Sequence, residues 1–176
     1  MVYPNGTAYQ ASIEVTDSSR YDFTQASSFG GPTPMQVGDV NVSGNCSPCQ
    51  FNLTTPSVFD SRMSVTFEKG NYTVTYIAPL RDNNLQDAFE TPYNVSVSLP
   101  QEFDVRNPLL AGLSFGANVT RHPDNTTTVI WNKTTSFNLR FYDKGREDLL
   151  YLFGNFFIVI AIVLLLPYLL TTRKKE

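Results

Sequence analysis

Cys46-Ser47-Pro48-Cys49 is the stretch whose residue types are suited to redox or metal chemistry. Two thiols three positions apart can close a small disulfide, cycle as a redox pair, or supply half of a zinc site. Cycling needs a stabilised thiolate, usually at a helix N-terminus just after the first Cys. Residues 50–54, Gln-Phe-Asn-Leu-Thr, read instead as strand. Zinc needs two more ligands, and the chain holds one His and no other Cys. These facts favour a structural disulfide between Cys46 and Cys49, with redox work as the alternative. His122, the sole imidazole, is followed by Pro123, Asp124 and Asn125, which is turn chemistry, so it reads as a surface residue and not as a general base. Asp143, Glu147 and Asp148 lie just ahead of a long apolar run. They read as a solvated face, a cation site being the alternative. The sequence carries no phosphate loop, dinucleotide fingerprint or carboxylate dyad. It therefore leads us to expect no catalytic residue, metal, cofactor or small-molecule substrate, and a protein that is not an enzyme.

A different chemistry is done to the chain and not by it. The N-glycan acceptor pattern Asn-x-Ser/Thr occurs at Asn5, Asn41, Asn45, Asn52, Asn71, Asn94, Asn118, Asn125 and Asn132. With 14 Asn and Ser plus Thr at about 18% of positions, chance supplies about two or three matches, against the nine found. The excess points to an exported domain. A Ser/Thr-rich β domain, whose alternation (Asn94-Val95-Ser96) inflates the count, is the plainer alternative.

The chain is organised around residues 149–170, an uncharged apolar run of 22 residues. As a helix it would reach ~33 Å, enough to cross a hydrocarbon core of about 30 Å. Tyr151, Phe153, Phe156 and Phe157 at its first end suit an interfacial aromatic belt. Asn155, beside Gly154, is the strongly polar side chain of the run. The two are candidates for a helix–helix contact, because a buried amide seeks a partner and Gly allows close approach; snorkelling of Asn155 toward water is the alternative. Lys and Arg flank both ends of the span, Arg140, Lys144 and Arg146 before it and Arg173, Lys174 and Lys175 after it. Orientation therefore rests on the acceptor sites and the cysteine pair, which place the N-terminal domain outside the cell and the C-terminus in the cytoplasm. Met1-Val2-Tyr3-Pro4 is no leader peptide. Export then implies a leader lying outside this sequence; the alternative is a tail-anchored protein facing the cytoplasm.

The elements that must position these residues are mostly strands. Ahead of the span 15 Asp and Glu face 10 Lys and Arg, an acidic balance unsuited to nucleic acid or anionic lipid. Tyr9, Ala11, Ile13 and Val15 alternate in a first strand over 7–15. Residues 17–38 read as a long loop or crossover, with Phe23 and Phe29 as core anchors. Residues 37–43 and 50–54 read as short strands. Met63, Val65 and Phe67, then Tyr72, Val74 and Tyr76, alternate about 68–71 and read as a hairpin. Leu85 and Phe89, four apart behind Asp82 or Asn83 as caps, predict one short helix over 81–90. Tyr93, Val95, Val97 and Leu99 form a strand, 103–117 an irregular connection, 118–121 and 126–132 a hairpin, and 137–141 a last strand. From Arg146 the chain enters the membrane helix with hardly any linker. We find no internal repeat in the sequence.

Three stretches carry a resemblance: Tyr93-Asn94-Val95-Ser96-Val97-Ser98-Leu99-Pro100; Asp104-Val105-Arg106-Asn107-Pro108-Leu109-Leu110; and Phe137-Asn138-Leu139-Arg140-Phe141-Tyr142-Asp143 running through Gly145-Arg146-Glu147 into the span. Over roughly its last half the chain resembles an uncharacterised membrane-protein family of methanogens and haloarchaea. The resemblance implies an exported domain of unknown function on one C-terminal helix, an archaeal source, and no catalytic residues. The tail lacks a Pro-Gly-Phe tag, so the helix is expected to be retained.

The expectation is a mainly β protein: an immunoglobulin-like β-sandwich with one short helix over 1–145, a transmembrane helix over 146–170 and a cytoplasmic basic tail over 171–176. It would sit in the bilayer through 149–170 as a non-enzymatic binding or assembly component of an archaeal cell envelope, with an envelope or membrane protein as partner. An accessory subunit of a membrane complex, or an envelope thiol oxidoreductase using Cys46 and Cys49, are the alternatives.

Overall fold

The structure, a computed structural model, describes residues 1–26, 32–46, 48–56 and 62–172. Phe29, Ser47 and the tail residues 173–176 lie outside them. In chain order the elements are β1 (Ala8–Ala26), β2 (Pro32–Pro34), β3 (Gly38–Gly44), β4 (Phe51–Thr54), β5 (Met63–Pro79), β6 (Asn84–Leu99), β7 (Phe103–Asp104), β8 (Gly112–Leu113), β9 (Asn118–Arg121), β10 (Thr127–Arg140), β11 (Tyr142–Asp143) and α1 (Lys144–Thr172). The protein is mainly β with one C-terminal helix long and apolar enough to cross a membrane.

Two antiparallel sheets share one core topology, the first adding β2 at the end of β1. In each, a long central strand (β5 or β10) pairs on one side with a long earlier strand (β1 or β6). On the other side it takes two short strands. The earlier short strand (β3 or β8) lies on the C-terminal arm of the central strand, and the later one (β4 or β9) on its N-terminal arm. Residues 8–79 and 84–140 thus repeat the same order of pairing, a repeat that leaves no trace in the sequence.

Each long pair is bent in the middle. The β1–β5 register shifts between Val15 and Ser18 and again before Arg20, and the β6–β10 register shifts between Trp131 and Thr134 and again before Ser136. Such bulges sharpen strand twist, and here they fold the arms over one another. Phe23 on one arm of β1 packs edge-on to Tyr76 (5.0 Å), which pairs with the other arm, and Trp131 meets Phe137 across the bend in β10 (5.3 Å). Each sheet thereby closes over its own core: Phe23, Val65, Val74 and Tyr76 in the first, Leu99, Val129, Trp131 and Phe141 in the second. Burial of such side chains contributes about 1.5–3 kcal/mol each. Tyr9 packs against both cores.

Three sequence expectations are corrected. Residues 17–26 are not loop: Thr16 and Asp17 make the bulge in β1, with Asp17 at φ 50°. Ser18 Oγ donates to the Arg20 carbonyl (2.7 Å) and accepts from its N–H (3.2 Å), so the polar run satisfies itself without ending the strand. Residues 63–76 are not a hairpin: both arms pair with β1, Val65 opposite Tyr21 and Val74 opposite Ile13. The alternation slips from odd positions (63, 65, 67) to even ones (72, 74, 76) because β5 carries an extra residue in its bend. Residues 81–90 are not helix. Asp82 (φ 54°) and Asn83 (φ 51°) form a two-residue turn closed by the Asn84 N–H on the Arg81 carbonyl (3.0 Å), and β6 starts at once. This is the type I′ geometry that reverses a β-strand, and Asp and Asn tolerate it. The hairpin about 122–125 is present as read.

The helix leaves the domain with no linker. Asp143, the last strand residue, pairs with Phe103 and caps α1 by accepting the Arg146 N–H on Oδ1 (2.9 Å). Buried Tyr142 accepts the Asn107 N–H on its hydroxyl (3.1 Å), and Asp104 holds the Arg106 guanidinium. Over residues 144–166, α1 is exposed on every face. An all-round apolar helix without protein cover suits lipid and not a soluble core.

Candidate ligand-binding cleft

The recess richest in chemistry lies between the two sheets. It is a cleft of about 1040 Å³ lined by β1 residues 9–14, by Tyr76, by β6 residues 85–87 and 93–97, and by Phe89 and Phe137. Alternation along β6 puts Asp87 on the inward face between Leu85 and Phe89. Gln86 ties the sheets together: its Nε2 donates to the Ala26 carbonyl (2.7 Å) while its Oε1 accepts from Asn138 Nδ2 (3.2 Å).

Asp87 is the charged centre. Its Oδ1 accepts the Ala88 N–H (2.8 Å), and among the described residues no Lys or Arg lines the cleft. Desolvation pushes its pKa up to about 6, offset only in part by that bond. Burial raises the phenols of Tyr9, Tyr21 and Tyr76 as well, each pushed further up by the Asp87 carboxylate. Tyr9 donates to Met35 Sδ (3.4 Å), and the Tyr21 and Tyr76 rings stand 6.4 Å apart. Such an acid among aromatic faces, with Glu14 also on the wall, has the chemistry that suits a cationic group.

One end of the cleft is closed by residues 1–3. The Met1 nitrogen donates to the Gln10 carbonyl (2.7 Å), Gln10 N–H donates to the Met1 carbonyl (2.9 Å), and Val2 N–H donates to the Ser98 carbonyl (3.0 Å). Residues 1–3 therefore bridge β1 and β6. A second recess of about 540 Å³ sits at the start of α1, where Arg121 and Asn125 of the β9–β10 hairpin meet Gln101, Glu102 and residues 143–145. The hairpin tip thus stands beside the first turn of the helix.

The residues singled out in the sequence are not gathered at this cleft. Cys46 and Cys49 are joined in the β3–β4 connection with Cα atoms 4.9 Å apart, and Cys49 packs against the first core. The strand β4 follows them, so no helix dipole acts on the pair. His122 is exposed, its Nε2 2.9 Å from Thr128 Oγ1. Among the described residues no three His, Cys, Asp or Glu come together as metal ligands. Gly154 and Asn155 face outward on α1 with no protein neighbour in reach of a Cβ at Gly154. All nine acceptor asparagines are exposed, and Asn94 stands at the rim of the cleft. The other four Asn of the β region (Asn83, Asn84, Asn107, Asn138) are half-buried. Sequence reasoning missed Asp87, which belongs to no motif; the signal was its place in the Leu85, Asp87, Phe89 alternation.

Comparison with curated proteins and with solved structures finds no match. A family model matches residues 2–174, nearly the whole chain, and on that ground the chain belongs to the family of unknown function DUF5803.

Proposed function

We propose that this protein is a single-pass membrane protein whose β domain stands outside the cell as a non-enzymatic binding or assembly component of an archaeal cell envelope, with its C-terminus in the cytoplasm. The observation that carries the reading is the partition of asparagines: every acceptor Asn is exposed, and every other Asn of the β region is half-buried. Glycan attachment needs an accessible side-chain amide, and all nine sites meet that condition. The capped, linker-free junction at Asp143 supports the reading too, because it holds the domain against the surface that α1 enters. The cleft, which sets an acid among aromatic rings, supplies such a component with a place to bind. Intact-mass analysis of the native protein tests the export step; glycan mass at these Asn is expected, and an unmodified chain would contradict it.

A further inference from the structure

We propose that the cleft accepts an extended segment of a second polypeptide bearing a basic side chain, added as a strand along β1 in line with residues 1–3 and within reach of β6. Gln10 exchanges both backbone bonds with Met1, so its N–H and C=O point into the cleft. Alternate residues of a strand point the same way, which turns the backbone groups of Ser12 and Glu14 into the cleft as well. The Ser98 carbonyl receives the Val2 N–H across the gap, and the same alternation turns Ser96 toward it. Among the described residues no strand pairs with these groups. The ladders to β5 and β10 occupy the opposite edges, and β2 reaches β1 only at Thr24, Gln25 and Ala26. Two unpaired strand edges facing one another are a template for strand addition. Residues 1–3 show that the gap is one strand wide at its closed end, because Met1 and Val2 bond both walls at once.

Charge selects the occupant. Asp87 and Glu14 line the cleft and, among the described residues, no basic side chain does, so a Lys or Arg of an incoming segment gains an unshared carboxylate. Phe89, Tyr93 and Phe137 offer aromatic surface to its stem and to apolar neighbours. The inference rests on the reading of the β domain as a binding module and not on the side of the membrane it occupies. A failed peptide test leaves the topology measurement standing, and the reverse also holds.

The test is residue-resolved amide hydrogen exchange on the full chain in non-ionic detergent, with a blocked eight-residue peptide of alternating Val and Lys as probe. In the free protein the amides of Ser12, Glu14 and Ser96 should exchange faster than those of Ala11, Ile13 and Val97, which face the ladders. Saturating peptide should slow the first three by about tenfold or more, the effect of about one hydrogen bond. The same peptide with Glu for Lys should not. Ser12→Pro removes a donor that faces the cleft and spares the β1–β5 ladder, so it should abolish peptide protection at Ser96. If that variant fails to fold, Asp87→Asn serves instead and should weaken binding severalfold. Three results would overturn the proposal: protection without peptide, which would make a second copy the occupant if it rises with protein concentration and residues of the same chain ahead of Met1 the occupant if it does not; equal protection by the Glu peptide; or no protection by the Val-Lys peptide at millimolar concentration.

Discussion

The Asp17 N–H donates to Asn71 Oδ1 (2.8 Å) across the bend of the first sheet, and the Lys133 N–H donates to Asn94 Oδ1 (3.0 Å) across the bend of the second. Both donors have φ of 50°, and each is followed by a hydroxyl residue that bridges the N–H and C=O two positions on: Ser18 at Arg20, Thr134 at Ser136. Both acceptors stand in Asn-x-Ser/Thr patterns. A glycan at either would attach through the amide nitrogen and leave Oδ1 free to hold the corner. We expect Asn71→Ala and Asn94→Ala each to cost about 1 kcal/mol, additively because the corners lie in separate sheets, as read from denaturant midpoints of single and double variants. Asn71→Asp keeps Oδ1 and should retain most of that stability while abolishing glycan attachment.

Lys133 tests the strain at the second corner. Lys is a poor residue for a left-handed backbone, whereas Asp17 is of a type that tolerates it. Lys133→Gly should therefore leave stability unchanged or raise it by about 0.5–1 kcal/mol. Lys133→Val should lower it. Thermal midpoints of the two variants decide the point, and a destabilising Gly together with a neutral Val would remove strain from the account.

Asp87 should give the fold a pH dependence of definite sign. Its folded pKa is about 6 against an ordinary 3.8, so the folded state binds the proton more tightly. The stability this contributes is fully present below about pH 4 and is lost as pH rises through about 6. Asp87→Asn removes the charged form and should stabilise the protein at pH 7 by about 2 kcal/mol, allowing for partial solvation, with no gain below about pH 4. Unfolding curves at pH 4, 5, 6 and 7 check this; a difference independent of pH would point to packing instead of charge.

The cysteine pair closes a loop of only four residues. Chain-entropy arguments assign such a loop about 2 kcal/mol, so Cys46→Ser with Cys49→Ser should lower stability by up to that amount and leave peptide binding at the cleft intact. A double variant that folds normally but abolishes the biological role would favour the thiol-oxidoreductase alternative.

Strand positions were largely legible because inward residues alternate: Tyr9 to Val15, Tyr93 to Leu99 and the 118–132 hairpin all lie where the sequence placed them. Strand length was not. Asp17-Ser18 and residues 68–71 carry turn chemistry, and only the partner strand, bent at the same level, turns them into bulges instead of chain reversals. Asp82-Asn83 has the composition of both a helix cap and a type I′ turn; the alternation of Leu85, Asp87 and Phe89 beyond it was the deciding signal. The repeat shared by the two sheets is a repeat of pairing partners, which no run of residues spells out. The cleft was illegible for a related reason: its walls come from β1 and β6, far apart in sequence, and its acid, Asp87, belongs to no motif.

The most direct test of the exported, membrane-anchored reading is protease accessibility combined with intact-mass analysis on sealed cells or right-side-out vesicles. The account predicts that protease added outside removes the β domain, that the released fragment carries glycan mass on exposed asparagines such as Asn71 and Asn118, and that a membrane-embedded remnant containing 149–170 stays behind. A protected, unmodified domain would contradict it, placing the β domain in the cytoplasm and Cys46 and Cys49 among reducing surroundings.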